Sequence, residues 1–247
     1  MGAHTGHNSA ESMRENGFSG ESGFTQKIHH GNVSAQIAAP AHAHGCEYSD
    51  TMGLAGKRPK EKYHSYKGEV GKVAENILDR DFSTTAPMQK WTTDVSQFGF
   101  SWGKCYLSPI LDMNTNEIIS YDLSQSANME QIQRMLAGAF TKFPSVDGLI
   151  FHSDQGWQYQ HVYFRQALKD HKIIQSMSRK GNCYDNCITE AFFGRMKNEM
   201  FYGHEKEYSA FETFAKAGYT NYYNNERIQE KTKWMPPTKF REASMCT

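Results

Sequence analysis

From residue 90 onward, short apolar runs alternate with amphipathic stretches, and this order limits the folds that the chain can adopt. Residues 91–95 alternate as a β-strand does, and residues 104–111 and 117–123 form two further apolar runs. The polar segment between these two runs, at 112–116, has the composition of a hairpin turn. The pattern therefore predicts three consecutive antiparallel strands.

A helix and two further strands are predicted after this meander. Asn128 has the character of an N-cap, and apolar residues recur at helical spacing as far as Pro144. Residues 149–152 and 173–176 form short apolar runs, with helical spacing between them at 163–169. The order βββαβαβ predicts an α/β fold, with a five-stranded mixed sheet flanked by helices.

Two more helices are predicted beyond a polar Gly/Asn loop. The first covers roughly residues 187–200, with a buried stripe of Ile188, Phe192 and Met196. The second is rich in aromatic residues and covers roughly residues 208–224.

The chain divides into three regions by composition. Residues 1–54 contain many His, Gly and Ser residues and show no lasting period, so we expect a mostly disordered N-terminal region. Residues 55–89 begin with a lysine-rich stretch and are expected to form a basic linker, which either tracks a phosphate backbone or is simply solvated. Residues 90–242 are expected to form the folded core.

Composition excludes several classes of protein. No apolar run approaches the roughly 20 residues that a membrane helix requires. Five scattered cysteines do not form a disulfide framework, which favours the reducing cytoplasm. The net charge of the whole chain is zero, but the N-terminal region carries an excess of acidic residues, so the remainder is mildly basic. A nucleic-acid partner therefore stays possible.

Three acidic residues are placed where the predicted topology could bring them together. Asp94 lies in the first strand, Asp154 follows the fourth strand, and Glu190 lies in the first turns of a helix. Ligand sites of open α/β sheets lie beyond the strand ends. Converging carboxylates repel one another unless a divalent cation such as Mg²⁺ compensates them. Judged by position alone, acidic residues at the ends of strands and helices are more often simply solvated than catalytic.

A set of motifs is more specific than any single residue. Exactly 35 residues lie between Asp154 and Glu190. The motifs are WTTDV at 91–95, YLSPILD at 106–112, HSDQG at 152–156, SMSRKGN at 176–182, DN at 185–186, EAFF at 190–193, KNE at 197–199, YYNNER at 222–227 and PP at 236–237. Together they resemble the transposases of bacterial insertion sequences that share the catalytic core of retroviral integrases.

The resemblance implies a ribonuclease H-like fold and a polynucleotidyl transferase that cleaves DNA and transfers strands. It implies that Asp94, Asp154 and Glu190 are catalytic and bind two Mg²⁺ or Mn²⁺ ions. The expected partners are transposon ends and target DNA, bound by a homo-oligomer in the bacterial cytoplasm, at the nucleoid. Candidate DNA-binding residues are Arg179, Lys180, Asn182, Asn186 and Lys197.

Some of these residues keep alternative roles. Asn182 and Asn186 could instead hold the loop by turn and capping chemistry. Trp157 and Tyr159 could stack on a base, although packing against the following helix is the more common use of such residues.

The sequence before the core departs from this resemblance. Related transposases have a helical DNA-binding segment there, whereas residues 1–50 show no helix-turn-helix period. We interpret this region as a truncated or frameshifted DNA-binding domain. An inactive remnant that only binds nucleic acid is therefore the alternative function. A ribonuclease H-like nuclease is a third, but it leaves the SMSRKGN and YYNNER motifs unexplained.

Overall fold

A computed structural model describes residues 74–246. The expectations for residues 1–54, and for the first part of the linker up to residue 73, lie outside the described residues. The strands are β1 Lys90–Thr93, β2 Ser96–Phe100, β3 Gly103–Asp112, β4 Ile118–Ser124, β5 Ile150–Ser153 and β6 Ile174–Met177. The helices are α1 Met129–Lys142, α2 Trp157–Gln160, α3 Val162–Asp170, α4 Cys187–Met196, α5 Phe211–Ala215, α6 Tyr219–Asn225 and α7 Pro237–Met245.

The six strand segments occupy five positions in one mixed sheet. Strands β1 and β2 both pair antiparallel with β3, and they share one register, with Thr93 opposite Ile110 and Ser96 opposite Leu107. They are therefore two halves of one strand, interrupted between Thr93 and Ser96. Strand β4 pairs with the other edge of β3, while β5 and β6 extend the sheet in parallel beyond β1. The predicted five-stranded mixed sheet is confirmed, with a longer first strand than the sequence indicated.

Helices cover both faces of the sheet, and alternation along the strands decides which residues each face buries. One face packs Trp91, Ile110 and Phe151 against α1 and α3. The opposite face packs Phe98 and Leu111 against α4, α5 and α6. Each face has its own apolar cluster, so the sheet is held from both sides.

Helix α1 begins as the sequence predicts. The Asn128 side-chain oxygen accepts a hydrogen bond from the Gln131 backbone N–H at 3.0 Å, which satisfies one of the unpaired donors at the helix start. Ile132, Leu136 and Ala139 are buried against the sheet.

The helices after α4 differ from the prediction. The single aromatic helix expected at 208–224 is two short helices, α5 and α6, because Gly218 takes a left-handed conformation (φ +68°) between them. Helix α4 ends at Met196 and continues as a π-helical turn, Lys197–Phe201. Thr189 and Phe193 are buried along α4 together with Phe192 and Met196, while Ile188 is only partly buried.

The described end of the expected linker, residues 74–89, lies against the sheet. Leu78 is buried. The Ile77 backbone N–H donates to the Ser176 hydroxyl at 3.0 Å, and the Met177 N–H donates to the Glu75 carbonyl at 3.1 Å. This segment therefore runs along strand β6.

Candidate active site

Asp94 lies in the two-residue interruption between β1 and β2. Its Oδ1 atom accepts the backbone N–H of Val95 at 2.7 Å. Side chains alternate across a strand, so Asp94 faces the same side as Thr92, towards α4, while Thr93 points to the opposite face. There the Thr93 hydroxyl donates to the Pro109 carbonyl at 2.8 Å.

Asp154 directly follows strand β5, beside Asp94. Strands β1 and β5 are parallel neighbours with Thr92 opposite His152, so each aspartate lies two residues beyond this pair. Adjacent strands are roughly 5 Å apart. The pairing of these two strands therefore brings Asp94 and Asp154 side by side.

Gly156 is required by the position of the Asp154 carboxylate. The Gly156 N–H donates to Asp154 Oδ1 at 2.9 Å. A Cβ atom added at residue 156 would lie 2.9 Å from the same oxygen and 2.7 Å from Gln158 Nε2. A side chain at this position would therefore displace the carboxylate.

The two aspartates disfavour each other's ionisation. Burial, and to a lesser extent the charge of Asp154, raise the pKa of Asp94 from its ordinary 3.8 to about 7. Burial also raises the pKa of Asp154. The Lys197 ammonium attracts Asp94 and partly opposes this rise, while burial lowers its own pKa. The site therefore holds more negative charge than the chain itself compensates.

Glu190 lies in the first turn of α4 and is exposed. Its charge also raises the pKa of Asp94, but less than that of Asp154 does. Within residues 74–246, no group of three or more His, Cys, Asp or Glu side chains is arranged to hold a metal ion. The donor chemistry nevertheless fits a hard cation, since two carboxylates with raised pKa values lie side by side.

Asn186 immediately precedes α4 and is buried beside Asp94. Its Nδ2 donates to Asp94 Oδ2 at 3.2 Å, and its Oδ1 accepts from the Thr92 hydroxyl at 3.2 Å. The Thr189 hydroxyl donates to the same Oδ1 at 2.5 Å. The side chain therefore links strand β1 to the start of α4.

Asp185 is a buried residue whose role sequence reasoning missed. It accepts two side-chain hydrogen bonds from Arg179, at 2.9 Å each, one from Arg80 at 3.0 Å and one from Asn76 at 3.0 Å. The hydrogen bonds from Arg179 hold its pKa well below the ordinary range. The only sequence signal for Asp185 was its place in the DN motif at 185–186. Its partners Asn76 and Arg80 lie in the segment that was expected to be a linker.

The candidate DNA-binding residues have different environments. Lys180 is exposed. Arg179 is half-exposed, with its guanidinium bound to Asp185 and to Asp79 at 3.2 Å. Asn182 is partly buried, and its side chain does not cap the following turn. Lys197 lies over the Phe98 ring, 5.3 Å from its centroid, and Asn186 faces Asp94 rather than solvent.

Tyr159 is wholly buried, and burial together with the charges of Asp94 and Asp154 raises its pKa well above the ordinary value. Its ring packs edge-on against Phe164 of α3. Packing against the following helix is thus the use that the structure gives Tyr159. Trp157, by contrast, is exposed.

Comparison with known proteins gives a consistent result. A family model described as an integrase core domain matches residues 84–183, and a second one with the same description matches residues 190–245. An uncharacterized transposase-like protein of Haemophilus influenzae is 49% identical over 196 residues, which span 78% of this chain and 89% of the relative. The putative transposase InsK for insertion sequence element IS150 of Escherichia coli is 44% identical over 191 residues, 77% of this chain and 68% of the relative.

The chain belongs to the insertion-sequence transposases with an integrase core domain. By family it is a polynucleotidyl transferase of DNA transposition and integration. The recognition made from the motifs is therefore confirmed.

Solved structures place this transposase in the ribonuclease H-like fold. A chain of the simian T-cell lymphotropic virus intasome, in complex with PP2A regulatory subunit B56 gamma, has a TM-score of 0.51 at 14% identity, covering 66% of this chain and 56% of that one. The HTLV-2 integrase catalytic core domain, in a complex with magnesium, has a TM-score of 0.50 at 15% identity, covering 64% and 99%. At these identities the likeness concerns the fold alone. In the described part of the transposase, no helix has the length and apolar character needed to cross a membrane.

Proposed function

We propose that this transposase is catalytically competent and that Asp94, Asp154 and Glu190 bind two Mg²⁺ or Mn²⁺ ions. The observation that carries the proposal is the pair of aspartates on adjacent strands, both with raised pKa values. Keeping such charges together costs free energy, which a divalent cation would offset. The magnesium in the HTLV-2 integrase core is consistent with this choice of ion.

Bound divalent cations would activate the attacking oxygen and stabilise the leaving oxygen of an in-line phosphoryl transfer. The chain's own part is to hold the charges in place. The backbone N–H groups of Val95 and Gly156 fix one oxygen of each aspartate. Buried Tyr159 fills the space on the other side of the sheet. Glu190, on the helix, would close the site from the exposed side.

Cations beside this site are proposed to bind the phosphate backbone. Lys180 is exposed on the loop after β6, and Lys197 is close enough to Asp94 to affect its pKa. Arg179 would present to DNA the half of its side chain that Asp185 leaves exposed. Asn182 could contribute an amide from the same loop, whereas Asn186 is buried and faces Asp94. Phosphate contacts of this kind position DNA without reading its sequence.

Because transposition joins two DNA ends, we propose that the transposase acts as a homo-oligomer on DNA. The DNA is expected to comprise transposon ends and a target, in the bacterial cytoplasm. Family membership supports this assembly, and one of the solved structures of similar fold is that of an intasome.

A strand-transfer assay tests the proposal. The full chain is incubated with Mg²⁺ and oligonucleotides that carry the flanking terminal repeats. Asp154→Asn should lower the rate by about a thousandfold or more, because it removes a charge that holds the metal. Asp147→Asn, which alters only an exposed ion pair with Lys172, should retain wild-type activity.

Each alternative gives a different result. Joining that persists in Asp154→Asn would refute the triad. DNA binding without cleavage in the wild type would indicate the inactive remnant. Cleavage of an RNA–DNA hybrid that lacks any repeat would indicate the ribonuclease H-like nuclease.

A further inference from the structure

Asn186 occupies a position where an asparagine ordinarily serves its own helix. It is the N-cap residue of α4, yet its side chain forms no capping hydrogen bond. Asparagine is favoured at this position because its oxygen can accept a free N–H of the first turn. Here the amide is turned towards the sheet instead, where it reaches Asp94 at 3.2 Å. The usual explanation for an N-cap asparagine therefore does not apply.

Two hydroxyl groups hold the oxygen of this amide, and the Asp94 carboxylate faces its NH₂ group. Thr92 on β1 and Thr189 on α4 both donate to Asn186 Oδ1, and both threonines are buried. A hydroxyl can donate or accept, whereas an ionised carboxylate only accepts, so the NH₂ group points at Asp94 and the amide oxygen points at the two hydroxyls. The reverse orientation would bring the amide oxygen against an ionised carboxylate, and two acceptors repel each other.

The Asp94 carboxylate is consequently held at both oxygens. Val95 N–H binds Oδ1 at 2.7 Å, and Asn186 Nδ2 binds Oδ2 at 3.2 Å. The first donor belongs to the same strand, whereas the second comes from the start of the helix that carries Glu190. One side chain thus links the positions of two members of the proposed triad.

We propose that Asn186 is a positioning residue, which fixes the Asp94 carboxylate for metal binding and sets the α4 N-terminus against strand β1. It acts through Asp94 and does not itself touch DNA. This inference rests on the proposed function, because it assigns a support to one of the proposed metal ligands. Partners that orient metal ligands affect metal affinity even though they do not touch the metal.

The test measures Mn²⁺ binding to the full chain by the electron paramagnetic resonance of free Mn²⁺. Asn186→Leu keeps the approximate size of the side chain but loses its amide, and it should weaken Mn²⁺ binding by about tenfold or more. DNA affinity, measured by fluorescence anisotropy in EDTA, should not change. The control is Asn221→Leu, the same change at an exposed asparagine of α6, and it should bind Mn²⁺ as the wild type does.

Thr189→Val keeps the proposal falsifiable if Asn186→Leu does not fold. This change removes one of the two hydroxyls that orient the amide, and we expect Mn²⁺ binding to weaken by about threefold. Wild-type Mn²⁺ affinity in Asn186→Leu, or in Thr189→Val where the first variant is unfolded, would overturn the inference. Loss of DNA affinity in EDTA with unchanged Mn²⁺ binding would also overturn it, since Asn186 would then be a DNA contact.

Failure of the proposed function can be distinguished from failure of the proposed role of Asn186. A wild-type chain that binds no Mn²⁺ would refute the metal site and, with it, this inference. A wild-type chain that binds Mn²⁺ but does not join DNA would refute only the catalytic proposal, and the comparison of Mn²⁺ affinities would still decide the role of Asn186.

Discussion

Two aspartates on either side of the α4 N-terminus experience opposite electrostatic environments. Asp185 accepts side-chain hydrogen bonds from Arg179, Arg80 and Asn76, and its pKa is lowered. Asp94 receives one amide and one backbone N–H, faces Asp154, and has its pKa raised to about 7. Within residues 74–246, no Arg or Lys side chain forms an ion pair with Asp94.

This difference in environment distinguishes the structural carboxylate of Asp185 from the carboxylate of Asp94, which is available to bind a ligand. A buried carboxylate with a full set of cationic donors stabilises the chain without any addition. A carboxylate that the chain leaves under-compensated is destabilising until something positive binds. Asp185 fixes the loop before α4 and Asp94 is available to a metal, although the two residues approach the same helix start.

The largest expected effect is on the pH dependence of stability. Because the pKa of Asp94 is raised from 3.8 to about 7, its protonated form favours the folded state. That stabilisation is complete below pH 3.8 and is lost as the pH rises through 7. The loss should be on the order of 3 kcal/mol for the metal-free chain. Urea unfolding at a series of pH values in EDTA would measure it.

Asp94→Asn provides the matched comparison for this effect. The variant should lose much less stability than the wild type between pH 4 and pH 7, because residue 94 no longer titrates. Saturating Mg²⁺ should reduce the loss in the wild type and leave the variant nearly unchanged. Equal pH profiles for the two proteins in EDTA would show that Asp94 is not under-compensated.

The next largest effect concerns Asp185. Asp185→Asn leaves two guanidinium groups without their shared carboxylate, and it should lower the free energy of unfolding by about 2 kcal/mol. This value is below that of a fully buried pair, because both arginines are half-exposed. Urea unfolding at pH 7 would measure it, and Asp122→Asn, which removes a more exposed pair with Arg134, should cost less. An unchanged unfolding free energy would mean that Asp185 is not structural.

The smallest effect is expected from Gly156→Ala. The added Cβ would meet Gln158 Nε2 at 2.7 Å and Asp154 Oδ1 at 2.9 Å, so both side chains must shift, and strand transfer should slow by about tenfold. Gly194→Ala is the control, since an added Cβ there meets nothing within 4 Å. It should leave the rate unchanged and slightly stabilise α4. Equal rates in the two variants would argue against a fixed position for Asp154.

The pattern of strands was predictable because each strand is marked locally. Alternation at 91–95 and the apolar run at 149–152 predicted two strands, and both are present as β1 and β5, which pair in parallel. Asn128 and Gln131 predicted the start of α1 from a local hydrogen bond. The placement of Asp94 beside Asp154 follows from these two strands and required no information about side chains.

The rest depends on contacts between distant parts of the chain. Strand β2 was not predicted, because Ser96–Phe100 contains Gly99 and becomes a strand only by pairing with β3. The bonds from Arg80 to Asp185 and from Asn186 to Asp94 join residues that are 105 and 92 positions apart. The spacing of residues along the sequence does not indicate such contacts. The hydrogen bonds that hold the site residues in place were therefore visible only in the structure.

The shared register of β1 and β2 fixes the length of the segment around Asp94. Thr93 and Ser96 pair with Ile110 and Leu107 as they would in one continuous strand. Insertion or deletion of a single residue between them would turn Phe98 away from its cluster and onto the opposite face of the sheet. This segment can therefore tolerate substitutions, but it cannot tolerate changes in its length. Relatives aligned to this transposase should show no gap between Asp94 and Phe98.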